Sequence, residues 1–229
     1  MAERVQMMRR ARNIAVLLLL ASSVAACAEV QDQSDFLRMG SVLLQETGLF
    51  GGGDDNVTRE KAASVPYASI GIRLGSSREA MLLLATTSGE NLRWQAGTQY
   101  VINTRDGHVT LTAGFEHNLD GLQGPIPDST SVSPEQGGPY HYLYDMVDMG
   151  KYGVFAICTQ HDEGGERIEI IGVPHDTRHI VEVCKAKQLD WRFSNEYWRD
   201  TATGYVWKSV QNFRPDMDAL TLEILRPEK

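Results

Sequence analysis

The stretch Trp191–Phe213, WRFSNEYWRDTATGYVWKSVQNF, decides the fold. Two runs rich in aromatic and β-branched residues, Trp191–Arg199 and Tyr205–Phe213, flank Asp200-Thr201-Ala202-Thr203-Gly204, whose late glycine marks a hairpin turn. With Asp200 facing Tyr205, Trp198 is expected opposite Trp207 as a stabilising cross-strand aromatic pair. Side chains alternate along a strand, so Trp191, Phe193 and Tyr197 share one face while Trp198 takes the other. One of the two sets is expected to be core.

The same period of two extends outward from this hairpin. Toward the C-terminus, Leu220, Leu222 and Ile224 alternate with Thr221, Glu223 and Leu225 before Pro227. Toward the N-terminus, Ile180–Lys185, Arg167–Val173, Tyr152–Thr159 and Tyr142–Val147 read as strands, with His161–Glu166 (HDEGGE) as a turn. Residues 123–140, QGPIPDSTSVSPEQGGPY, carry four prolines, three glycines and no period, and read as a long surface loop. Before it, Leu92–Trp94, Gln99–Thr104, the Asp106-Gly107 turn and His108–Ala113 make an antiparallel meander. Met81–Ala85 is continuously apolar, as suits a strand covered on both sides. Ile70, Ile72 and Leu74 alternate with Ser69, Gly71 and Arg73. Upstream of Pro66 the period becomes helical. A short turn is expected at Thr58–Ser64, and an amphipathic helix, capped by Ser34, aligns Phe36, Met39 and Leu43 with Leu37 and Leu44 and ends near Gly48. Gly51–Asn56, GGGDDN, then reads as a flexible connection. The fold class is mainly β, with antiparallel sheets arranged as a sandwich or barrel and one short N-terminal amphipathic helix.

At the start of the chain, Arg4, Arg9, Arg10 and Arg12 precede the apolar stretch Ile14–Ala28, IAVLLLLASSVAACA, in the layout of a secretory signal peptide. An apolar run of about 11 residues rises about 16 Å as a helix, short of a hydrocarbon core of about 30 Å. Val24-Ala25-Ala26-Cys27 has the form of a bacterial lipobox, in which Cys27 receives a diacylglyceryl thioether and, after cleavage, a further acyl chain such as palmitate. Two or more chains on one residue anchor stably. Ala28, where an Asp retains lipoproteins at the inner membrane of enteric bacteria, favours the outer membrane, with the protein facing the periplasm. The expected organisation is signal peptide 1–26, lipid anchor, tether and helix 27–57, and antiparallel β domain 58–229.

Cleavage before Cys27 leaves 203 of the 229 residues, and losing four arginines and one glutamate takes the formal charge from −8 to −11. So acidic a body argues against nucleic acid as a partner and against electrostatic adhesion to anionic lipid. Cys158 and Cys184 are expected to pair as a disulfide in an oxidising compartment, stabilising the fold by about 3 kcal/mol. The rival readings are two free buried thiols or a metal pair, for which there is neither CxxC spacing nor a histidine in register.

Three segments carry a family resemblance: VPYASIGIRLG at 65–75, GHVTLTAGFEHNL at 107–119 and, above all, FSNEYWRDTATGYVWKSVQNFRP at 193–215. They resemble the YjbF/GfcB family of group 4 capsule lipoproteins, whose N-x-Y-W strand, glycine turn, V-W-x-S-x-Q strand and proline match Asn195, Tyr197, Trp198, Gly204, Val206, Trp207, Ser209, Gln211 and Pro215. His108 departs from the pattern, which has a basic residue followed by an aliphatic one there. The resemblance implies a mostly antiparallel β domain at the periplasmic face of the outer membrane, serving export or assembly of an exopolysaccharide or capsule. It also implies an outer-membrane β-barrel and a periplasmic protein of the same export system as partners, and it attaches no catalytic activity to any residue.

The aromatic hairpin supplies the candidate partner or glycan surface: Asn195, Tyr197, Trp198, Trp207, Ser209 and Gln211. Aromatic rings stack on sugar faces, but aromatics are also favoured in strands for packing, and amides in strands usually satisfy nearby backbone groups. His175 and His179 are four apart, yet Pro174 and the strand pattern around them speak against a helical zinc site, and no third ligand is in register. His161–Glu166 lacks the alternating spacing of a calcium loop. No nucleophile elbow, Walker motif or dinucleotide fingerprint occurs, so neither cofactor nor metal is expected. The leading expectation is a non-enzymatic accessory or docking subunit; the alternatives are an enzyme acting on envelope polysaccharide through carboxylates near the hairpin, or a glycan-binding module.

Overall fold

The computed structural model describes residues 57–97, 100–125 and 139–228. The signal peptide, Cys27, the helix expected at 34–48, the 51–56 connection and most of the 123–140 loop lie outside the described residues. Among the described residues one α-helix, α1 (Arg59–Ser64), starts at Thr58, whose hydroxyl accepts from the Lys61 amide at 3.2 Å, a conventional N-cap. Twelve strands follow: β1 (Ser69–Leu74), β2 (Ala80–Ser88), β3 (Asn91–Ala96), β4 (Tyr100–Arg105), β5 (His108–Ala113), β6 (Gly121–Gln123), β7 (Tyr140–Met146), β8 (Lys151–Ile170), β9 (Val173–Ala186), β10 (Trp191–Asp200), β11 (Val206–Gln211) and β12 (Leu220–Arg226).

All twelve belong to one antiparallel sheet in the order β5-β4-β3-β2-β1-β12-β11-β10-β9-β8-β7-β6. Every neighbour is the next strand in sequence, apart from the β1–β12 pair that joins the two ends of the meander. The remaining seam, between β5 and β6, is bridged where the Thr112 amide donates to the Leu119 carbonyl and the Leu119 amide to the Thr112 hydroxyl, both at 2.8 Å. The result is an up-and-down barrel, nearly closed, which leaves little unpaired edge. The mainly β, antiparallel fold read from sequence is therefore the fold found, and of the two arrangements expected, sandwich or barrel, it is the barrel.

Alternation fixes what faces inward. On β9 and β10 the cross-strand pairs Ala186–Trp191, Cys184–Phe193, Glu182–Asn195 and Ile180–Tyr197 are all buried. Cys158 and Cys184 stand opposite each other on β8 and β9 and form the expected disulfide within this core. Met81–Leu83 are buried as the continuous apolar run requires.

Two local expectations are corrected. His161–Glu166 is not a turn: β8 runs unbroken to Ile170, and the chain reverses at Ile171-Gly172. The glycines are used instead for a bulge, with the register slipping between Asp162 and Gly164 and Gly164 at φ +103°. Trp198 does not pair with Trp207 either. The turn closes as expected, the Asp200 amide donating to the Tyr205 carbonyl at 2.7 Å, but Arg199 pairs with Val206 and Trp198 with Lys208. Trp207 is the extra residue of that bulge. It packs on His175 with ring centroids 4.0 Å apart, while Trp198 stacks on His179 at 4.6 Å.

Candidate functional site

Strand alternation carries one carboxylate into the middle of the barrel. Glu182, between inward-facing Ile180 and Cys184, is fully buried. It accepts hydrogen bonds from the Tyr140 hydroxyl at 2.5 Å, the Asn195 amide at 2.7 Å, the Tyr142 hydroxyl at 3.1 Å and the Tyr197 hydroxyl at 3.5 Å. His108 reaches in from β5, with Nε2 3.7 Å from Glu182 and its ring stacked on Tyr197 at 4.4 Å. Burial works against the charge on Glu182, but the imidazole, the Tyr140 hydroxyl and the Asn195 amide outweigh it and hold the carboxyl below its ordinary value. Burial and then that same carboxylate push the Tyr142 and Tyr197 hydroxyls well above theirs, so they remain donors.

The network continues into β11. Gln211 accepts from the Val109 amide at 2.9 Å and donates to the Gly107 carbonyl and the Ser209 hydroxyl, both at 2.8 Å. Asn195 accepts from the Asn212 amide at 2.8 Å. These bonds tie β5, on the far side of the barrel, to β9, β10 and β11.

Five of the six residues named from sequence as a partner or glycan surface are thus interior or covered: Asn195, Tyr197, Ser209 and Gln211 belong to the buried network, and Trp198 is shielded by His179 and by Lys208, 5.3 Å from its ring. β10 and β11 turn Asn195, Tyr197, Ser209 and Gln211 toward the core, whereas Trp198 lies on the opposite, outer face and is covered there. Trp207 is the exception, partly exposed at the barrel mouth.

That mouth holds a cavity of about 420 Å³. Ile70, Trp94, Leu222 and Ile224 make it apolar, Tyr205 and Trp207 add aromatic surface, and Glu90, Arg105, Asp106 and Glu228 bring charge. Beside it Arg199 is buried and donates from Nη1 to Asp106 at 3.1 Å, while its Nε and Nη2 have no protein partner among the described residues.

His175 and His179 are not brought together on a metal: His175 packs on Trp207, and His179 lies between Glu166 at 3.4 Å and Glu196 at 2.9 Å. Among the described residues, the one close group of metal-ligand types is Cys158, Glu182 and Cys184, and its sulfurs are bonded to each other. No motif in the sequence groups Glu182, Tyr140, Tyr142 and His108. The available signal was a glutamate at an inward position of an alternating strand, IVEVCKA, where an unpaired charge is costly and a set of partners is therefore required.

A packed, nearly closed antiparallel barrel with a polar centre and a ligand-sized mouth is the class of domain these features define. The chain belongs to the family described as group 4 capsule polysaccharide lipoprotein GfcB/YjbF, which matches residues 45–225. It is similar to the uncharacterized lipoprotein GfcB of Escherichia coli (strain K12), at 20% identity over 183 residues, covering 78% of this chain and 85% of that protein. The crystal structure of the hypothetical lipoprotein YmcC from Escherichia coli (K12) shares the fold, with a TM-score of 0.66 and 20% identity over 77% of this chain and 92% of that one.

Proposed function

We propose that this protein is a lipid-anchored, non-enzymatic accessory subunit of exopolysaccharide or capsule export, held by acyl chains on Cys27 at the periplasmic face of the outer membrane. The observation that carries the reading is family membership over residues 45–225, joined to the Val24–Cys27 lipobox that precedes the matched region. The barrel suits a docking role. Its centre is cross-braced by the Glu182 network, which supports a rigid outer wall, and residues 27–57 join the proposed anchor to the domain. An outer-membrane β-barrel and a periplasmic protein of the same export system are its proposed partners.

Deleting the gene in its native host and measuring surface polysaccharide tests the reading. Loss of surface polysaccharide, restored by the wild-type gene but not by a Cys27→Ser variant found in the soluble fraction, is the expected result. Unchanged surface polysaccharide after deletion overturns it.

A further inference from the structure

Resting on the polysaccharide reading above, we infer that the barrel-mouth cavity beside Trp207 binds a short stretch of saccharide, of uncharged or amino-bearing sugars rather than acidic ones. The volume of about 420 Å³ lies within the range of small-molecule sites, about 300–1,000 Å³. Its chemistry is mixed in the way a sugar ring is mixed. Trp207, Tyr205 and the buried Trp94 offer apolar surface to C–H faces, and the hydroxyl-bearing edge of a ring needs donors and acceptors together.

Both are present. Tyr205 lines the cavity, and its buried hydroxyl has no protein partner among the described residues, which leaves its proton uncommitted. Thr104 and Ser209, also lining the cavity, accept bonds from Trp94 and Gln211 at 2.8 Å and keep their own protons to donate. Glu90, Asp106 and Glu228 supply acceptors. A hydrocarbon chain would bury these polar groups without partners, so saccharide fits the lining better than lipid does. Asp106 is paired with the buried Arg199 at 3.1 Å and Lys208 with Glu223 at 2.8 Å, so Glu90 and Glu228 against Arg105 leave the lining slightly acidic. Carboxylated or phosphorylated sugars are therefore disfavoured.

The test uses the mature lipoprotein in detergent, titrated by tryptophan fluorescence with fragments of two to six sugars cut from the host's own surface polysaccharide. Uncharged or amino-bearing fragments are expected to bind, with affinity falling about tenfold or more for Trp207→Ala and also for Glu90→Gln, an exposed substitution that disturbs no packing. Tyr152→Ala, on an exposed outer-wall side chain, is expected to bind as wild type. No binding by any fragment, binding unaffected by both cavity variants, preference for acidic fragments, or displacement by decanoate would each overturn the inference. In the deletion strain, export restored in full by a Trp207→Ala, Glu90→Gln gene would remove the inference and leave the accessory role standing. Unchanged polysaccharide in the deletion itself would remove the accessory role.

Discussion

A Cβ placed on Gly107 would fall 2.6 Å from the Cβ of Val206, so the β4–β5 turn is pressed against β11 across the barrel. Gly107 also sits at φ +78°, and its carbonyl accepts from Gln211. Two independent reasons therefore require glycine here: the backbone conformation and the contact. Gly107→Ala is expected to cost about 2–3 kcal/mol. Adding Val206→Ala opens the space and relieves part of that cost, so the two substitutions combine to less than their sum in urea unfolding. Strict additivity would mean that the turn does not lean on β11.

Glu182 gives the second prediction. Glu182→Gln keeps the volume but turns an amide donor toward groups that are themselves donors, and a cost of about 2–4 kcal/mol at neutral pH is expected from denaturant midpoints. The folded carboxyl lies below its ordinary value of 4.5, so its contribution is fully present above the unfolded pKa and is lost as pH falls through the folded one. The gap between wild type and variant should accordingly narrow on acidification below about pH 4.5. A gap that is constant from neutral to acid conditions would show that the charge is not what the network holds.

The strands were legible because one face of each is buried: Ile70 and Ile72 on β1, and Leu220 and Leu222 on β12, carry the period of two openly. The bulges were not. At Gly164 the glycine pair has the composition of a turn, and only the long pairing with β9 shows that the chain continues through it. One inserted residue at Trp207 cancels a cross-strand pair that the turn alone would predict. The candidate surface misled for a related reason. Asn195, Ser209 and Gln211 have polar side chains; Asn195 is held inside by Glu182, its cross-strand partner on β9, and Gln211 by Val109 and Gly107, which are distant in sequence and meet it only when the barrel closes.

Cys158 and Cys184 cross-link adjacent strands within the core, 26 residues apart in the chain. By loop closure alone, the Cys158→Ala, Cys184→Ala double variant should lose about 3 kcal/mol. Both cysteines are buried, so in the wild type reduction by dithiothreitol should follow the rate of global opening and be accelerated by Glu182→Gln. Equal reduction rates in folded and urea-unfolded protein would contradict the buried placement.

Asp200 links the hairpin turn to the cavity wall. Its Oδ1 accepts from the Ala202 amide at 3.0 Å, the Thr203 amide at 2.9 Å and the Thr203 hydroxyl at 3.0 Å, while Oδ2 accepts from the Trp207 indole at 3.1 Å. Burial opposes its charge, but the indole and the turn's donors prevail and hold the carboxyl below its ordinary value. Asp200→Ala removes both functions and should cost about 1–2 kcal/mol. Asp200→Asn separates them, since its oxygen can keep the turn while its amide faces the indole N–H donor to donor. The Asn variant should unfold closer to wild type than the Ala variant does, yet both should show an altered Trp207 emission, read in a background where Trp191 and Trp198 are replaced by Phe and the constant emission of the buried Trp94 is subtracted with a Trp207→Phe control. Acidification through the folded pKa of Asp200 should produce the same emission change in wild type and none in the Asn variant. An indole signal that follows turn stability alone, with Asn indistinguishable from wild type, would show that the Asp200–Trp207 bond does not hold the ring at the barrel mouth.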